Sequence, residues 1–359
     1  MCRADKKISD SYNILVINPG STSTKVALYS NDNLVDLQIF PVEKKSENSI
    51  WSDFDTRLAA VQYFLHDRRV QHLDAVAGRG GLLKPVRCGT YLVNETMLAD
   101  ARKGVQGQHA ANLGCALAYT IAKKYACAAY VVDLVSVDEF AAPARYSGHP
   151  LIERRTLSHA LSIRASAFKA ASLLQKNIED THFIVAHMGG GISVAAVKSG
   201  RIVDVNDAAG AGPFSPERTG SLPLQQFVDL CFSGKYAKDD IKRMVMGQGG
   251  LKAYLGTDNV HHIESRIDSG ENNAKEIFDA MIYQIAKEIG GMSCVLHGKV
   301  DAIIFTGGVA KSTRVVQELK NRVGFIAPVF TFTEELEMPA LALGVLRVLK
   351  GIEVAHIYE

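Results

Sequence analysis

From residue 13 onward, apolar runs of strand length alternate with turn-forming residues. Asn13-Ile-Leu-Val-Ile-Asn18 leads through Pro-Gly-Ser-Thr-Ser-Thr into Lys25-Val-Ala-Leu-Tyr29, and Ser-Asn-Asp-Asn leads into Leu34-Val-Asp-Leu37. Two β-rich runs on either side of a glycine turn, then a third after a polar turn, predict an antiparallel meander. Apolar residues at helical spacing predict helices over 54–67, 94–102 and 110–124, and residues 340–349 read as an apolar helix that needs a core to join. Short buried-strand patterns lie between them at 74–77 and 129–133. Strands alternating with helices predict an α/β architecture.

The meander pattern occurs twice. His182-Phe-Ile-Val-Ala-His187-Met-Gly-Gly-Gly-Ile-Ser-Val-Ala-Ala-Val197-Lys-Ser-Gly-Arg-Ile-Val-Asp204 repeats the order strand, glycine turn, strand, polar turn, strand. Residues 14–18 match 183–187, Gly20 matches Gly189, and Val26-Ala-Leu28 is matched to Ala195-Ala-Val197, with a one-residue difference assigned to the turn. This predicts a duplication, two similar domains each opening with a hairpin whose glycine turn faces a common cleft.

Composition narrows the partners. The chain has 359 residues, of which 47% are hydrophobic and 22% charged, so its apolar material suffices for two domains. A net charge of +2 supplies no field for nucleic acid or a membrane surface and favours small diffusing partners. Six scattered cysteines include no C-x-x-C pair, so neither a zinc site nor a redox dithiol is expected, and reduced thiols fit the cytoplasm. The opening Met-Cys-Arg-Ala-Asp-Lys-Lys has no signal-peptide core, and no run approaches the ~20 apolar residues that span a bilayer.

Three glycine-containing turns carry candidate chemistry. The first, Asn18-Pro-Gly20-Ser21-Thr-Ser23-Thr-Lys25, joins a flexible glycine to four hydroxyls and a lysine, all potential donors to phosphate oxygens. The second, His187-Met-Gly189-Gly190-Gly191, lets backbone N–H groups approach a polyphosphate where a Cβ would obstruct them. In the third, Ile303-Ile-Phe-Thr-Gly307-Gly308-Val-Ala310, a strand runs into a glycine pair and then a helix, a place for a nucleotide base and ribose. The G-x-x-x-x-G-K-[ST] and G-x-G-x-x-G loops are absent, which disfavours P-loop and dinucleotide enzymes.

Asn-x-Gly-Ser-x-Ser-x-Lys, His-x-Gly-Gly-Gly and Phe-Thr-Gly-Gly together resemble the acetate and sugar kinase, Hsp70 and actin superfamily, and within it the acetokinase family. Gly78-Arg-Gly-Gly-Leu-Leu-Lys-Pro85, His109-Ala-Ala-Asn-Leu-Gly114 and Gly212-Pro-Phe-Ser-Pro-Glu-Arg218 are similar to the butyrate kinases and their branched-chain relatives. The resemblance runs from about residue 13 to about 350. It implies two duplicated actin-like (ribonuclease H-like) domains with a central cleft: residues 1–150 plus 338–359 for acid and phosphate, and 151–337 for the nucleotide. It implies butanoate + ATP = butanoyl phosphate + ADP with Mg²⁺, by a homodimer or larger homo-oligomer. Transferred residue by residue, it gives Asn18 and Ser21 to the first phosphate motif and Gly189–Gly191 to the second. Arg79 and Arg218 become the substrate arginines, Asp133 the aspartate near magnesium, and Glu337 the late metal-linked glutamate. Asn18 joins these last two around the metal.

One departure concerns the acetate kinase pair of histidines, Phe-His-Gly-Thr-Ser-His. Here His159 falls on the first and Ile163 on the second, so the phosphoryl-contacting role is left to His187 and the arginines or to His109. A branched-chain acid kinase, a sugar kinase with Asp133 as base and a non-catalytic nucleotide-binding relative remain alternatives; the two arginines favour a carboxylate kinase.

Overall fold

The computed structural model describes residues 11–42 and 49–359. Cys2 and the opening segment lie outside the described residues. The chain forms two compact units. The first takes the chain up to Val137 and again Leu336–Glu359, and the second is Asp138–Glu335.

The first unit opens with the meander β1 (Asn13–Pro19), β2 (Ser23–Ser30) and β3 (Asn33–Pro41). Then come α1 (Phe54–Asp67), β4 (Ala75–Arg79), β5 (Thr90–Leu92), α2 (Glu95–Lys103), α3 (Asn112–Lys124) and β6 (Ala128–Val132). Helix α2 starts one residue later than its periodicity suggests because the Asn94 side chain accepts the Met97 N–H at 2.9 Å, an N-cap.

The second unit begins with a small hairpin, β7 (Tyr146–His149) and β8 (Ile152–Glu153), then α4 (Ala160–Leu173) and a second meander, β9 (His182–Met188), β10 (Ile192–Lys198) and β11 (Arg201–Val205). Five helices follow: α5 (Leu224–Cys231), α6 (Lys238–Val245), α7 (Gly250–Leu255), α8 (Val260–Asp268) and the long α9 (Asn272–Val295). The unit closes with β12 (Ala302–Thr306), α10 (Thr313–Val323) and β13 (Val329–Phe332). The chain returns to the first unit as α11 (Glu337–Leu349) and β14 (His356–Ile357).

The two main sheets share one plan. The first has the order β14-β5-β6-β4-β1-β2-β3 and the second β11-β10-β9-β12-β13. In each, an antiparallel meander continues through two strands parallel to its first: β4 and β6 in one, β12 and β13 in the other. The duplication extends to a β-bulge, since pairing shifts between Leu28 and Tyr29 opposite β3 and between Ala196 and Val197 opposite β11. Register corrects one detail of the sequence match. Four residues separate the paired Pro19 and Thr24 but three separate Met188 and Ile192, so the extra residue lies in the glycine turn itself. Val26 therefore corresponds to Val194, not Ala195, and Lys25 to Ser193.

Each unit closes its own core. Leu15, Ile17, Phe64, Val76, Leu117 and Val131 are buried together in the first, and Ile184, Val194, Phe278, Ile285, Ile303 and Phe305 in the second. Each such side chain contributes about 1.5–3 kcal/mol on removal from water. The apolar run at 340–349 finds its core: Leu341, Ala342, Val345 and Leu346 are buried on α11.

Candidate functional site

In the first unit the site is built around the β1–β2 turn. Its backbone is pinned by the Gly20 N–H donating to the Ser23 carbonyl at 2.8 Å and the Val42 N–H to the Thr22 carbonyl at 2.9 Å. Ser21 and Thr22 are exposed, as phosphate donors need to be, whereas Thr24 is fully buried and its hydroxyl accepts from Arg57 at 2.8 Å. One of the four hydroxyls thus serves the turn's interior. Lys25, the next residue of β2, is half-buried.

Asn18, buried at the end of β1, donates through Nδ2 to Glu337 Oε2 at 2.9 Å. The same oxygen pairs with Arg79 Nη1 at the end of β4. Glu337 occupies the first turn of α11, where a carboxylate also suits the positive end of the helix dipole. Two sequence-predicted residues thus converge on one carboxylate oxygen of a third. Asp133, the fourth, sits just past β6 in the left-handed region at φ 41, and it exchanges two bonds with Gly89. Its Oδ1 accepts the Gly89 N–H at 2.8 Å, and its own N–H donates to the Gly89 carbonyl at 3.0 Å. His109 is exposed, with Nδ1 accepting the Ala111 N–H at 3.1 Å.

In the second unit the Gly189–Gly191 turn is backed by Arg218. A Cβ on Gly191 would stand 2.4 Å from Arg218 Nη1, so only glycine lets the guanidinium lie there. Nη1 donates to the Ala208 carbonyl at 2.8 Å, and the Ser215 hydroxyl links the two segments by accepting the Arg218 N–H at 3.1 Å while donating to the Gly190 carbonyl at 2.5 Å. Arg218 Nε is buried without a partner among the described residues. Burial holds the Arg218 pKa below the usual arginine value, countered by Glu217 and Asp207. His187, at the end of β9, stacks on His159 with ring centroids 4.1 Å apart, and His159 Nδ1 lies 2.9 Å from Ser193 Oγ.

The third turn completes a cavity in the same unit. Gly307 at φ 90 brings its backbone against Met188, where a Cβ would meet the carbonyl at 2.4 Å. A cavity of about 510 Å³ opens beside Gly189, Gly190 and Gly308. Its other walls include Asn259, His261, Glu264 and Lys311, none of them read from the sequence. Ser312, also lining it, donates to Glu264 Oε1 at 2.5 Å and caps α10 by accepting the Val315 N–H at 3.0 Å. The volume lies within the range of small-molecule pockets.

Comparison with known proteins gives this arrangement its kin. The acetokinase family pattern matches residues 136–327. Over 352 residues, covering 97% of this chain and 99% of the relative, the sequence is 48% identical to a probable butyrate kinase 2 of Caldanaerobacter subterraneus subsp. tengcongensis. It is 46% identical to butyrate kinase 2 of Clostridium acetobutylicum, again over 97% of this chain and 99% of the relative. Among solved structures, Porphyromonas gingivalis acetate kinase superposes with a TM-score of 0.75 at 17% identity, covering 94% of this chain and 100% of that one. A propionate kinase from Francisella tularensis gives 0.72 at 18%, covering 93% and 98%. At such identities the structures speak for the actin-like fold alone. With nearly half of its residues shared across almost its whole length, the chain belongs to the acetokinase family.

Proposed function

We propose that this protein is a butyrate kinase, which moves the γ-phosphoryl group of MgATP directly and in line onto the carboxylate of butanoate, reversibly, to give butanoyl phosphate and ADP. The observation that carries this is the near-full-length identity to butyrate kinases. The placement of two arginines supports it. A carboxylate is already ionised at pH 7 and needs no general base; the barrier lies in bringing two anions together. Arg218, half-buried behind the glycine turn with its Nε buried and unpartnered among the described residues, is suited to charge that develops during transfer. Arg79, oriented by Glu337, is suited to the acid's carboxylate.

Magnesium belongs to the nucleotide substrate. Among the described residues no cluster of three or more His, Cys, Asp or Glu could hold a metal. Magnesium uses one or two carboxylates together with phosphate oxygens and water, so the half-buried Glu337 beside Asn18, with Asp133, fits that mode. The three glycine turns, including Ser23 and Lys25 in the first, are assigned to phosphate and ribose. The first unit takes acid and phosphate, the second the nucleotide, and His187 with the stacked His159 faces the transferred group. We take the protein to act in the cytoplasm as a homodimer or larger homo-oligomer; no helix among the described residues is long and apolar enough to cross a membrane.

The test is ADP release from MgATP with butyrate, isobutyrate, valerate, acetate or glucose. Each buried methylene is worth about 0.8 kcal/mol, so neighbouring four- and five-carbon acids should differ by several-fold, not a thousandfold. Absence of acid-dependent ADP release, or faster turnover with glucose, would overturn the assignment.

A further inference from the structure

A buried arginine that the reaction scheme does not use stands behind the first phosphate turn. Arg57, on the first turn of α1, is 2% exposed. Its Nη2 donates to the Gly20 carbonyl at 3.0 Å, and its Nη1 to the Ser23 carbonyl at 3.2 Å and the Thr24 hydroxyl at 2.8 Å. The Asp53 carboxylate stands 3.8 Å away. Burying a guanidinium is costly, and the Gly20–Ser23 bond already closes the turn. An aliphatic side chain could fill the same space without that cost. The three acceptors all belong to the turn, which points to a role in shaping it.

In a planar trans peptide the C=O and the next N–H point in opposite directions. The Gly20 carbonyl drawn inward by Arg57 therefore turns the N–H of the exposed Ser21 away from Arg57. We propose that Arg57 is a positioning residue for nucleotide phosphates: it fixes the Ser21 N–H outward and sets a permanent positive charge behind it. This rests on the kinase reading. The effect should scale with the ligand's phosphates and leave the nucleoside alone.

The experiment is calorimetric titration of the full chain with MgADP and with adenosine, comparing wild type, Arg57→Met, Arg57→Lys and Thr24→Val, with melting curves to confirm folding. Charge-assisted bonds of this kind predict MgADP affinity lowered about 10- to 100-fold in Arg57→Met, with adenosine affinity within about twofold of wild type. Arg57→Lys keeps the charge but loses the fork and should fall between, and Thr24→Val, losing one bond, should cost about two- to tenfold. If Arg57→Met does not fold, the MgADP-to-adenosine ratio in the other two variants decides. An unchanged ratio, with MgADP still bound by wild type, overturns the proposal alone; no MgADP binding by wild type overturns the kinase reading and the proposal with it.

Discussion

Arg218 is enclosed on one side by Gly191 and tied to Ala208, so its role in transfer can be separated from its role in packing. Arg218→Ala should lower kcat by at least about 10²-fold while costing about 1–2 kcal/mol of stability. Arg218→Lys should rescue poorly, because an ammonium cannot span two oxygens as a planar fork does. Arg79→Ala should chiefly raise the KM for the acid. Steady-state kinetics at saturating MgATP with parallel thermal melts check all three, and near-wild-type turnover in Arg218→Ala would remove that residue from the mechanism. Glu288 on α9 offers a pH test. Its pKa is raised above 4.5, first by burial and then by the Asp204 carboxylate, with Arg154 and Lys287 opposing. The folded state thus holds this proton more tightly than the unfolded chain. The stability that it contributes is complete below about pH 4.5 and is lost as pH rises through the raised folded value. Glu288→Gln should therefore melt higher than wild type near pH 8, with the gap closing toward pH 4.5; a gap that widens on acidification would contradict this. Single residues divide sharply in how far sequence reveals them. Arg79 and Arg218 lie within glycine-rich words that single them out as candidates, whereas Arg57 and Glu264 lie on ordinary amphipathic helices, where a lone charge has no spacing to mark what it faces.

Among the elements, hairpins declared themselves and short helices did not. A strand's two-residue period shows in five or six residues, which is why both meanders and their glycine turns are legible in the sequence. Helices α5 to α8 each span nine residues or fewer, about two turns, and below ten or so residues an apolar pattern does not separate a helix from a strand or loop. The cavity beside the second and third glycine turns draws Asn259, His261 and Glu264 from the start of α8, and these walls are illegible in the sequence for that reason. The one-residue slip in matching β2 to β10 has a similar origin: apolar runs of Val and Ala fit two registers until pairing partners fix one. The contact of Gly307 with β9 supplies an element-scale prediction. Gly307→Ala must move the third turn off the Met188 carbonyl and hold a left-handed backbone, so it should cost about 1–3 kcal/mol and weaken MgADP binding at least several-fold. Thermal melts and nucleotide titration measure both; wild-type affinity would show that the close approach is dispensable.

At the scale of the molecule, the chain passes between the units only twice among the described residues, after Val137 and after Glu335, and each unit has a separate core. Without ligands, scanning calorimetry should show a calorimetric enthalpy above the van't Hoff value, the mark of more than one cooperative step. A chain ending at residue 335 lacks α11 and β14. It should lose the first unit's transition and keep the second's, whereas loss of both would mean that the cores are not independent. The single oxygen of Glu337 has a consequence for synthesis. A ribosome makes Asn18 and Arg79 first, and their shared carboxylate comes 319 and 258 residues later. At roughly 5–20 residues per second, Arg79 waits roughly 13–50 s for its partner. The second unit ends at Glu335, just ahead of Glu337, so a nascent chain carries Asn18 and Arg79 without their shared carboxylate through the whole synthesis of the second unit, and the first unit closes around that oxygen only when the last helix emerges.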